Sequence, residues 1–344
     1  MLDPSDIPKR ERVTYNALLF AEHVLGASRA SQWLGSKRVD VQRRMASQLE
    51  QRATGRRYPV DRVEGLTPAA FHRHYQRYGR PVVLAGAAKD WPCMGKWSLD
   101  YFRERHGDVQ IRLADSEGIN GHHLQGHEEL LPMHEIIDRI EAGGPEYIRF
   151  EPFLEQAGNL EGELDVPMLE ALRAPGSFGS GYHLFMGGTG TVTYLHNAIT
   201  SNLFVQVYGP KRWFLYPAFY TPVIQPPAKR SAYNYSYVDI HDPDPEVFPA
   251  FAHIDGYVVD LEPGDILYNP PFMWHQVENA SASIGLAYRY SDARRALSAS
   301  PMLSLLRLLG TNPPVWRALL LKLQGKPIYD HAYQAPEGSD VSNS

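Results

Sequence analysis

The chain has 344 residues, 43% of them hydrophobic and 21% charged, which is enough to bury a sizeable core in one large domain or two. Its formal net charge of −5 gives no basic excess for nucleic acid, and its one cysteine, Cys93, excludes an intramolecular disulfide framework and a cysteine-rich zinc site. The polar N-terminal stretch and the lack of 18 consecutive apolar residues predict neither a signal peptide nor a transmembrane span. We therefore expect a cytoplasmic protein without nucleic-acid or membrane partners.

The first 150 residues predict helices interrupted by short strands. Apolar residues recur at three- and four-residue steps from about residue 10 to residue 57, which indicates a helical N-terminal region closed by residues 56–59. Helix starts are predicted at Thr67-Pro68 and at Ser98, and a short amphipathic helix at Met133–Glu141. Short strands are predicted at 81–85, 109–113 and 146–150.

From residue 182 to about residue 290 the chain is a succession of short strands separated by glycine and proline. Eight strands at this spacing predict a jelly roll or small barrel. They are expected at 182–186, 191–195, 203–207, 212–216, 256–261, 265–269, 275–278 and 283–290. The whole chain is then mainly β with flanking helices, an α+β protein. We divide it into a helical region at 1–57, a β core at 58–295, and a C-terminal helical region with a polar tail at 296–344.

Two histidines lie in separate predicted strands, each among apolar residues. His196 and His275 are candidates for a single metal pocket, the alternative being two histidines satisfied within the core. Non-haem iron sites commonly combine two histidines with one carboxylate and leave positions open for substrate and oxygen. Two residues after the first histidine, where that carboxylate is expected, the chain has Ala198.

The order and spacing of several motifs over residues 60–292 resemble the cupin-like JmjC oxygenases, which use Fe(II) and 2-oxoglutarate. Residues 190–213, GTVTYLHNAITSNLFVQVYGPKRW, align without gaps to the family pattern G-T-V-T-x-x-H-x-D-x-x-x-N-x-x-x-Q-x-x-G-x-K-R-W. The one mismatch is Ala198, which stands at the position of the aspartate. Residues 81–97 resemble the opening of the family's domain, and residues 262–275 resemble its second-histidine motif. The resemblance implies a double-stranded β-helix as the catalytic core.

The resemblance also implies a role for each matching residue. His196 and His275 match the two metal ligands of the family. Four further residues match those that hold 2-oxoglutarate, namely Thr193, Lys211, Asn202 and Tyr147. A buried dicarboxylate needs a cation and hydrogen-bond donors to offset the loss of its hydration. The alternative for Lys211 is a solvent-exposed lysine in a turn.

Two residues depart from the family pattern. Ala198 replaces the metal-binding aspartate, and Ala287 stands near where many members have asparagine. Three hypotheses remain open for the first departure. An exogenous ligand can fill the position, with chloride or bromide giving halogenation, as in non-haem iron halogenases of a related jelly-roll family, and water giving hydroxylation. Alternatively His183, on the preceding strand, completes the site, or the protein is a non-catalytic binding or scaffold protein.

The retained pocket residues favour an enzyme that oxidises a C–H bond of a small molecule, an amino acid or a protein side chain. Loops 114–130 and 218–252 are candidate specificity elements; the second is rich in aromatic residues that either contact substrate or only pack the loop on the barrel. The tryptophans at 91, 97, 213 and 274 are assigned to the core. Apolar C-terminal helices at 297–309 and 315–323 predict a homodimer interface.

Overall fold

Helices lie on both sides of a β core. The computed structural model describes residues 2–25, 29–51, 55–113, 129–151, 160–227 and 234–310, with residues 320, 323 and 324. The helices are α1 (Lys9–Leu25), α2 (Arg29–Glu50), α3 (Pro68–His74), α4 (Leu99–His106), α5 (Met133–Glu141), α6 (Val166–Leu172), α7 (Thr221–Ile224), α8 (Ala293–Ala299) and α9 (Pro301–Gly310). Within the described residues, none of these helices combines the length and the apolar character that crossing a membrane requires.

The strands form two large sheets and one hairpin. They are β1 (Arg57–Pro59), β2 (Asp61–Val63), β3 (Val82–Leu84), β4 (Gln110–Leu113), β5 (Glu129–Pro132), β6 (Tyr147–Glu151), β7 (Phe178–Gly187), β8 (Val192–Asn197), β9 (Ser201–Tyr208), β10 (Lys211–Tyr216), β11 (Asn234–Tyr235), β12 (Gly256–Leu261), β13 (Ile266–Asn269), β14 (Trp274–Asn279) and β15 (Ser283–Ser291). One sheet has the order β2-β3-β13-β9-β15-β7-β6 and the other β1-β12-β10-β14-β8-β11. The predicted jelly roll with flanking helices is confirmed.

Local capping explains where the short helices begin. The Thr67 side chain accepts a hydrogen bond from the backbone N–H of Ala70, and Ser98 caps α4 in the same way, as the sequence predicts. Helix α6 is an addition to the prediction. Asp165 caps it, with proline in its first turn, so the same signal was present there in the sequence.

Three apolar cores lie between the layers of helices and sheets. One lies between the seven-stranded sheet and helices α3–α6, and a second lies between helices α1, α2, α8 and α9 and the six-stranded sheet. The third lies between the two sheets, where residues such as Val83, Phe204 and Val277 face inward. Strand alternation produces this division, because Val82 and Leu84 point to the first core while Val83 points to the third.

The structure corrects two predicted helical segments. Residues 56–59, predicted to close the N-terminal helices, contribute instead to β1, which pairs in parallel with β12. The helix predicted at 297–309 is broken, since Ser300 is extended and Pro301 begins a new helix. Most of the helix predicted at 315–323, and residues 114–128 of the predicted loop 114–130, lie outside the described residues, while residues 129 and 130 begin β5.

Candidate active site

His196 and His275 lie opposite each other on adjacent antiparallel strands, β8 and β14. Both rings are buried, and their centroids are 4.1 Å apart. Each Nδ1 faces a backbone carbonyl, that of Tyr194 at 2.7 Å and that of Met273 at 2.9 Å. A ring that donates its Nδ1–H to a carbonyl keeps the lone pair on Nε2, which is the atom left to bind a metal. The two predicted ligands are therefore brought together and oriented.

The His275 ring is fixed by two further neighbours. Trp213 stacks on it with centroids 5.4 Å apart and an interplanar angle of 17°, so this core tryptophan also belongs to the site. The side-chain amide of Asn269 lies 3.2 Å from Nδ1, and its Oδ1 is buried without a hydrogen-bond partner. Turning this amide by 180° would place the oxygen beside the Nδ1–H. Burial lowers the pKa of His275 to about 4, which keeps the imidazole neutral as metal binding requires.

A β-bulge in β8 places Thr193 on the same side as His196. In a regular strand, residues three apart point to opposite faces of the sheet. Here His196 pairs with His275 and Thr193 pairs with Val277, so three steps along β8 match two along β14. The extra residue in β8 reverses the alternation, and both side chains face the space between the sheets. The bulge therefore explains how Thr193 and His196, three residues apart, can face the same side of the sheet.

Ala198 follows the end of β8 and ties it to the start of β14. Its carbonyl accepts a hydrogen bond of 2.7 Å from the backbone N–H of Phe272. Phe272 has a φ of 59°, a left-handed conformation that is unfavourable for a bulky residue. Such strain persists only where the surrounding structure enforces it. The methyl group of Ala198 supplies no metal ligand.

His183 does not complete the metal site. It lies on β7 opposite Ala287, so its side chain is on the strand face that points to the space between the two sheets. Among the described residues, no three His, Cys, Asp or Glu side chains lie close enough together to hold a metal ion. Burial, with a contribution from the charge of Arg289, lowers the pKa of His183 to about 3, so its ring is neutral. In the described part of the chain, no His, Cys, Asp or Glu therefore joins His196 and His275 to replace the ligand lost at Ala198.

Lys211 is buried behind three aromatic rings. Its side chain is 1% exposed, so it is not a solvent-exposed turn lysine. Its Nζ lies 5.2–5.8 Å from the ring centroids of Tyr147, Phe185 and Phe204, and it donates a long hydrogen bond of 3.4 Å to the Tyr147 hydroxyl. Burial lowers its pKa, and among the described residues no carboxylate opposes that effect. An ammonium group in such surroundings is costly unless an anion accompanies it.

Lys211 lies behind three aromatic rings of a pocket between the two sheets, and five of the other predicted site residues line that pocket. Its lining consists of Tyr147, Phe185, Thr193, His196, Asn202, Phe204, Trp213, His275, Val277 and Arg289. This lining contains no Asp or Glu from the described residues. Thr193 Oγ1 and Asn202 Oδ1 are buried there without a hydrogen-bond partner in the described structure. Because buried polar atoms are normally hydrogen-bonded, these two groups indicate a polar ligand.

Arg289 is the pocket residue that the sequence analysis missed. It lies on β15 and is 8% exposed, and its guanidinium is 6.0 Å from the Phe185 ring. Asn202, on β9, is paired in register with Arg289 of β15 on one side and with Asn269 of β13 on the other. A signal was available in the sequence, because Arg289 is two residues beyond Ala287 and shares its strand face.

The aromatic residues of the 218–252 loop divide into two groups. Phe219 and Tyr220 pack in the core beneath the N-terminal helices. For these two residues, the aromatic side chains pack the loop on the barrel, which was one of the two predicted alternatives. Tyr235 pairs with His196 across β11 and β8, and its hydroxyl is 3.3 Å from that of the more exposed Tyr237. Only this second group lies beside the site. Tyr233 lies outside the described residues.

A jelly roll with two buried histidines and a buried lysine around one pocket defines a cupin-type protein. Residues 68–295 match the model of the cupin-like domain family, so the chain belongs to that family. It is 27% identical over 246 residues to the Arabidopsis thaliana protein "Lysine-specific demethylase JMJ30", covering 70% of this chain and 56% of that relative. The resemblance to JmjC proteins is therefore confirmed at the level of the family.

Two human relatives are of more similar length. The chain is 24% identical over 257 residues to "Bifunctional peptidase and (3S)-lysyl hydroxylase JMJD7", covering 65% of this chain and 81% of the relative. It is also 24% identical over 256 residues to "tRNA wybutosine-synthesizing protein 5", covering 67% and 78%. By contrast, the chain spans about half the length of the plant, frog and fly relatives that it matches.

Proposed function

We propose that the protein is an oxygenase of the Fe(II)- and 2-oxoglutarate-dependent class. The observation that carries this proposal is Lys211, a buried ammonium group behind a pocket that also holds two buried imidazoles, each with its Nδ1 facing a backbone carbonyl. The distal carboxylate of 2-oxoglutarate is the anion that this ammonium group requires. Relatives named as a lysine-specific demethylase and a lysyl hydroxylase support the same class.

The side chains around the pocket suit 2-oxoglutarate, and two of them suit a metal ion. Lys211 and Tyr147 would hold the distal carboxylate, and Thr193 and Asn202 have unused polar atoms to offer the rest of the acid. His196 and His275 would hold Fe(II), two protein ligands where three are usual. With iron and 2-oxoglutarate bound, molecular oxygen would serve as the oxidant, and 2-oxoglutarate would be oxidised and decarboxylated alongside the substrate. The protein residues orient both groups and exclude water.

We further propose that an exogenous ligand occupies the position vacated at Ala198. Replacement of a carboxylate by a methyl group opens space and removes one negative charge from the metal site. Both changes favour chloride or bromide over water, because Coulomb attraction is strong in a buried site. A halide there would support halogenation of a C–H bond, and water would support hydroxylation. The relatives' names favour a protein side chain as substrate over a free amino acid or other small molecule.

The test is anaerobic reconstitution with Fe(II) and 2-oxoglutarate, followed by the visible charge-transfer absorption between them. We expect a band that shifts or sharpens with chloride or bromide. Ala198→Asp should bind Fe(II) about tenfold or more tightly and lose the halide response, because it restores a direct ligand. Lys211→Met should lose the band. Arg212→Gln, one residue away but with an exposed side chain paired to Asp260, is the matched control.

Each other outcome has a distinct meaning. A band indifferent to halide would favour water at the vacated position, and with it hydroxylation. Folded protein that binds neither metal nor 2-oxoglutarate would overturn the enzyme proposal. The alternative of a non-catalytic binding or scaffold protein on this fold would then replace it.

A further inference from the structure

A second cavity borders the loop that precedes His275. Its volume is about 230 Å³, and Pro270, Pro271 and Met273, from the loop between β13 and β14, form part of its wall. None of the residues that line it also lines the pocket of His196 and His275. We call it the proline-lined cavity, and it is separate from the candidate active site.

The walls of the proline-lined cavity are mostly apolar and stiff. They include three aromatic residues, Tyr78, Phe219 and Tyr257, and five prolines. Cavities that bind small molecules commonly have such walls, with a few polar groups that fix the orientation of the ligand. Since a water molecule occupies about 30 Å³, the cavity has room for about eight waters or for a ligand of about ten non-hydrogen atoms.

Arg295, on α8, adds a positive charge to this apolar wall. Its two Nη groups donate to neutral acceptors, the carbonyl of Arg77 at 2.8 Å and the hydroxyl of Ser298 at 3.0 Å. Its Nε is buried without a hydrogen-bond partner. Asp292 accepts from the backbone N–H of Arg295, and within the described residues no ion pair neutralises the guanidinium group. The charge and the unused N–H favour an anionic ligand.

Gly79 holds the guanidinium group of Arg295 against the wall of the cavity. It has a φ of 62°, and a Cβ at this position would lie 3.0 Å from Nε and 3.1 Å from Cζ of Arg295. The guanidinium group therefore lies directly on the backbone of this turn. An arginine fixed in this way loses less side-chain entropy on binding a ligand than a mobile surface arginine does. The other arginine of the lining, Arg80, is already paired with Asp61 at 3.6 Å.

The 270–273 loop connects the proline-lined cavity to His275. The carbonyl of Met273 lies 2.9 Å from Nδ1 of His275, and the backbone N–H of Phe272 donates to the carbonyl of Ala198. Phe272 is held in a left-handed conformation, which persists only where its surroundings enforce it. A ligand packed against this loop would restrict its movement and, with it, the position of the His275 ring.

We propose that the proline-lined cavity binds a small aromatic carboxylate and that its occupancy strengthens metal binding at His275. Arg295 would receive the carboxylate through its unused Nε–H, and the rings of Tyr78, Phe219 and Tyr257 would contact the ring of the ligand. The binding of the acid goes beyond the proposed function. The coupling rests on the proposed function, because it requires a metal at His275.

The first experiment is a titration of metal-free protein with phenylacetate, followed by saturation-transfer NMR. Phenylacetate has the expected size, and phenylacetamide has the same shape without the charge. We expect phenylacetate to bind with a Kd of about 1 mM or below, and phenylacetamide to bind about tenfold more weakly because it lacks the charged hydrogen bond. Equal binding of the two, or no binding of phenylacetate, would overturn the proposal.

Variants place the acid in one cavity or the other. Arg295→Gln should weaken phenylacetate by about tenfold, and Ala299→Leu should abolish its binding by filling the cavity while keeping Arg295. Arg294→Gln, an exposed neighbour on α8, is the matched control and should bind as the wild type does. Lys211→Met should also bind phenylacetate. Loss of binding in Lys211→Met with no effect of Ala299→Leu would place the acid in the candidate active site and overturn the proposal. If Arg295→Gln does not fold, Ala299→Leu still decides.

The second experiment measures Mn²⁺ binding through the electron paramagnetic resonance signal of the free ion. Phenylacetate should strengthen Mn²⁺ binding by about threefold or more in the wild type and in Arg294→Gln, but not in Ala299→Leu. Acetate, which has the carboxylate without the ring, controls for direct complexation of Mn²⁺. Unchanged or weaker Mn²⁺ binding would overturn the coupling.

The outcomes separate this inference from the proposed function. Protein that binds Mn²⁺ and 2-oxoglutarate but not phenylacetate would overturn the inference and leave the proposed function standing. Protein that binds phenylacetate in the proline-lined cavity but neither Mn²⁺ nor 2-oxoglutarate would overturn the proposed function and the coupling, and would leave the second binding site standing.

Discussion

The ammonium group of Lys211 lowers the stability of the empty protein. It is buried among aromatic rings and has one long hydrogen bond, to Tyr147. We expect Lys211→Met to keep the free energy of unfolding or to raise it by about 1 kcal/mol, because the methionine needs no counter-charge. The same variant should lose 2-oxoglutarate binding. Denaturant unfolding and calorimetry measure the two effects, and a loss of more than about 2 kcal/mol would indicate a structural role instead.

Binding of 2-oxoglutarate should depend on pH through the same group. Burial lowers the pKa of Lys211 in the free protein, and a bound carboxylate would raise it. Affinity should therefore be full below the pKa of the free protein and should fall as pH rises from that value toward the pKa of the complex, with protons taken up on binding. Calorimetry in buffers of different ionisation enthalpy measures the uptake. Binding of 2-oxopentanoate, without the distal carboxylate, should show no such uptake.

The site residues differ in how far the sequence could predict them. His196, Thr193 and Lys211 follow from a gapless motif. In the structure His196 and Thr193 line one pocket, and Lys211 lies behind aromatic rings of that pocket. Arg289 could be found only through its position two residues beyond Ala287, because a strand buried on both faces shows no polar alternation of its own. His183 faces inward as its strand position allows, but facing the interior does not place a residue near a particular pair of histidines.

Among the secondary-structure elements, β15 supports the aromatic residues around Lys211. Gly285 has no side chain, and a Cβ there would lie only 2.6 Å from Cε1 of Phe204. Gly285→Ala should displace this ring, reduce stability by about 1–3 kcal/mol and weaken 2-oxoglutarate binding. Thermal unfolding and calorimetry test both effects. Gly162→Ala is the control, because nothing lies within 4 Å of the added methyl group there.

The long strands and capped helices were predictable, and the irregular parts were not. Strands β12 and β13 follow their predicted ranges to within one residue, because glycine and proline mark their ends. The three-residue strands β1 and β2 are rich in charged residues, and only their partners β12 and β3 make them strands. The bulge in β8 depends on pairing with β14, so no property of a single segment indicates it.

For the whole molecule, the oligomeric state stays a prediction. Leu297 and Leu305, on α8 and α9, are 57% and 44% exposed, and Leu320 and Leu323 are exposed as well. We expect a homodimer through this surface and a monomer for the double variant Leu297→Glu and Leu305→Glu. Light scattering at micromolar concentration is the measurement. Val247→Glu alters an exposed apolar residue elsewhere and should leave the mass unchanged. A monomeric wild type would contradict the prediction.

The contact between α1 and α9 constrains how the protein matures on the ribosome. The helical hairpin of α1 and α2 is synthesised before the β core, yet its apolar residues pack against strands near residue 195 and residue 274 and against α9 near residue 303. Until those partners emerge, the hairpin has nothing to cover Tyr15, Leu19 and Met45. Contacts so distant in sequence form late. We expect nascent chains arrested before α9 to need a chaperone on this hairpin and to release it only after α9 has emerged from the ribosome.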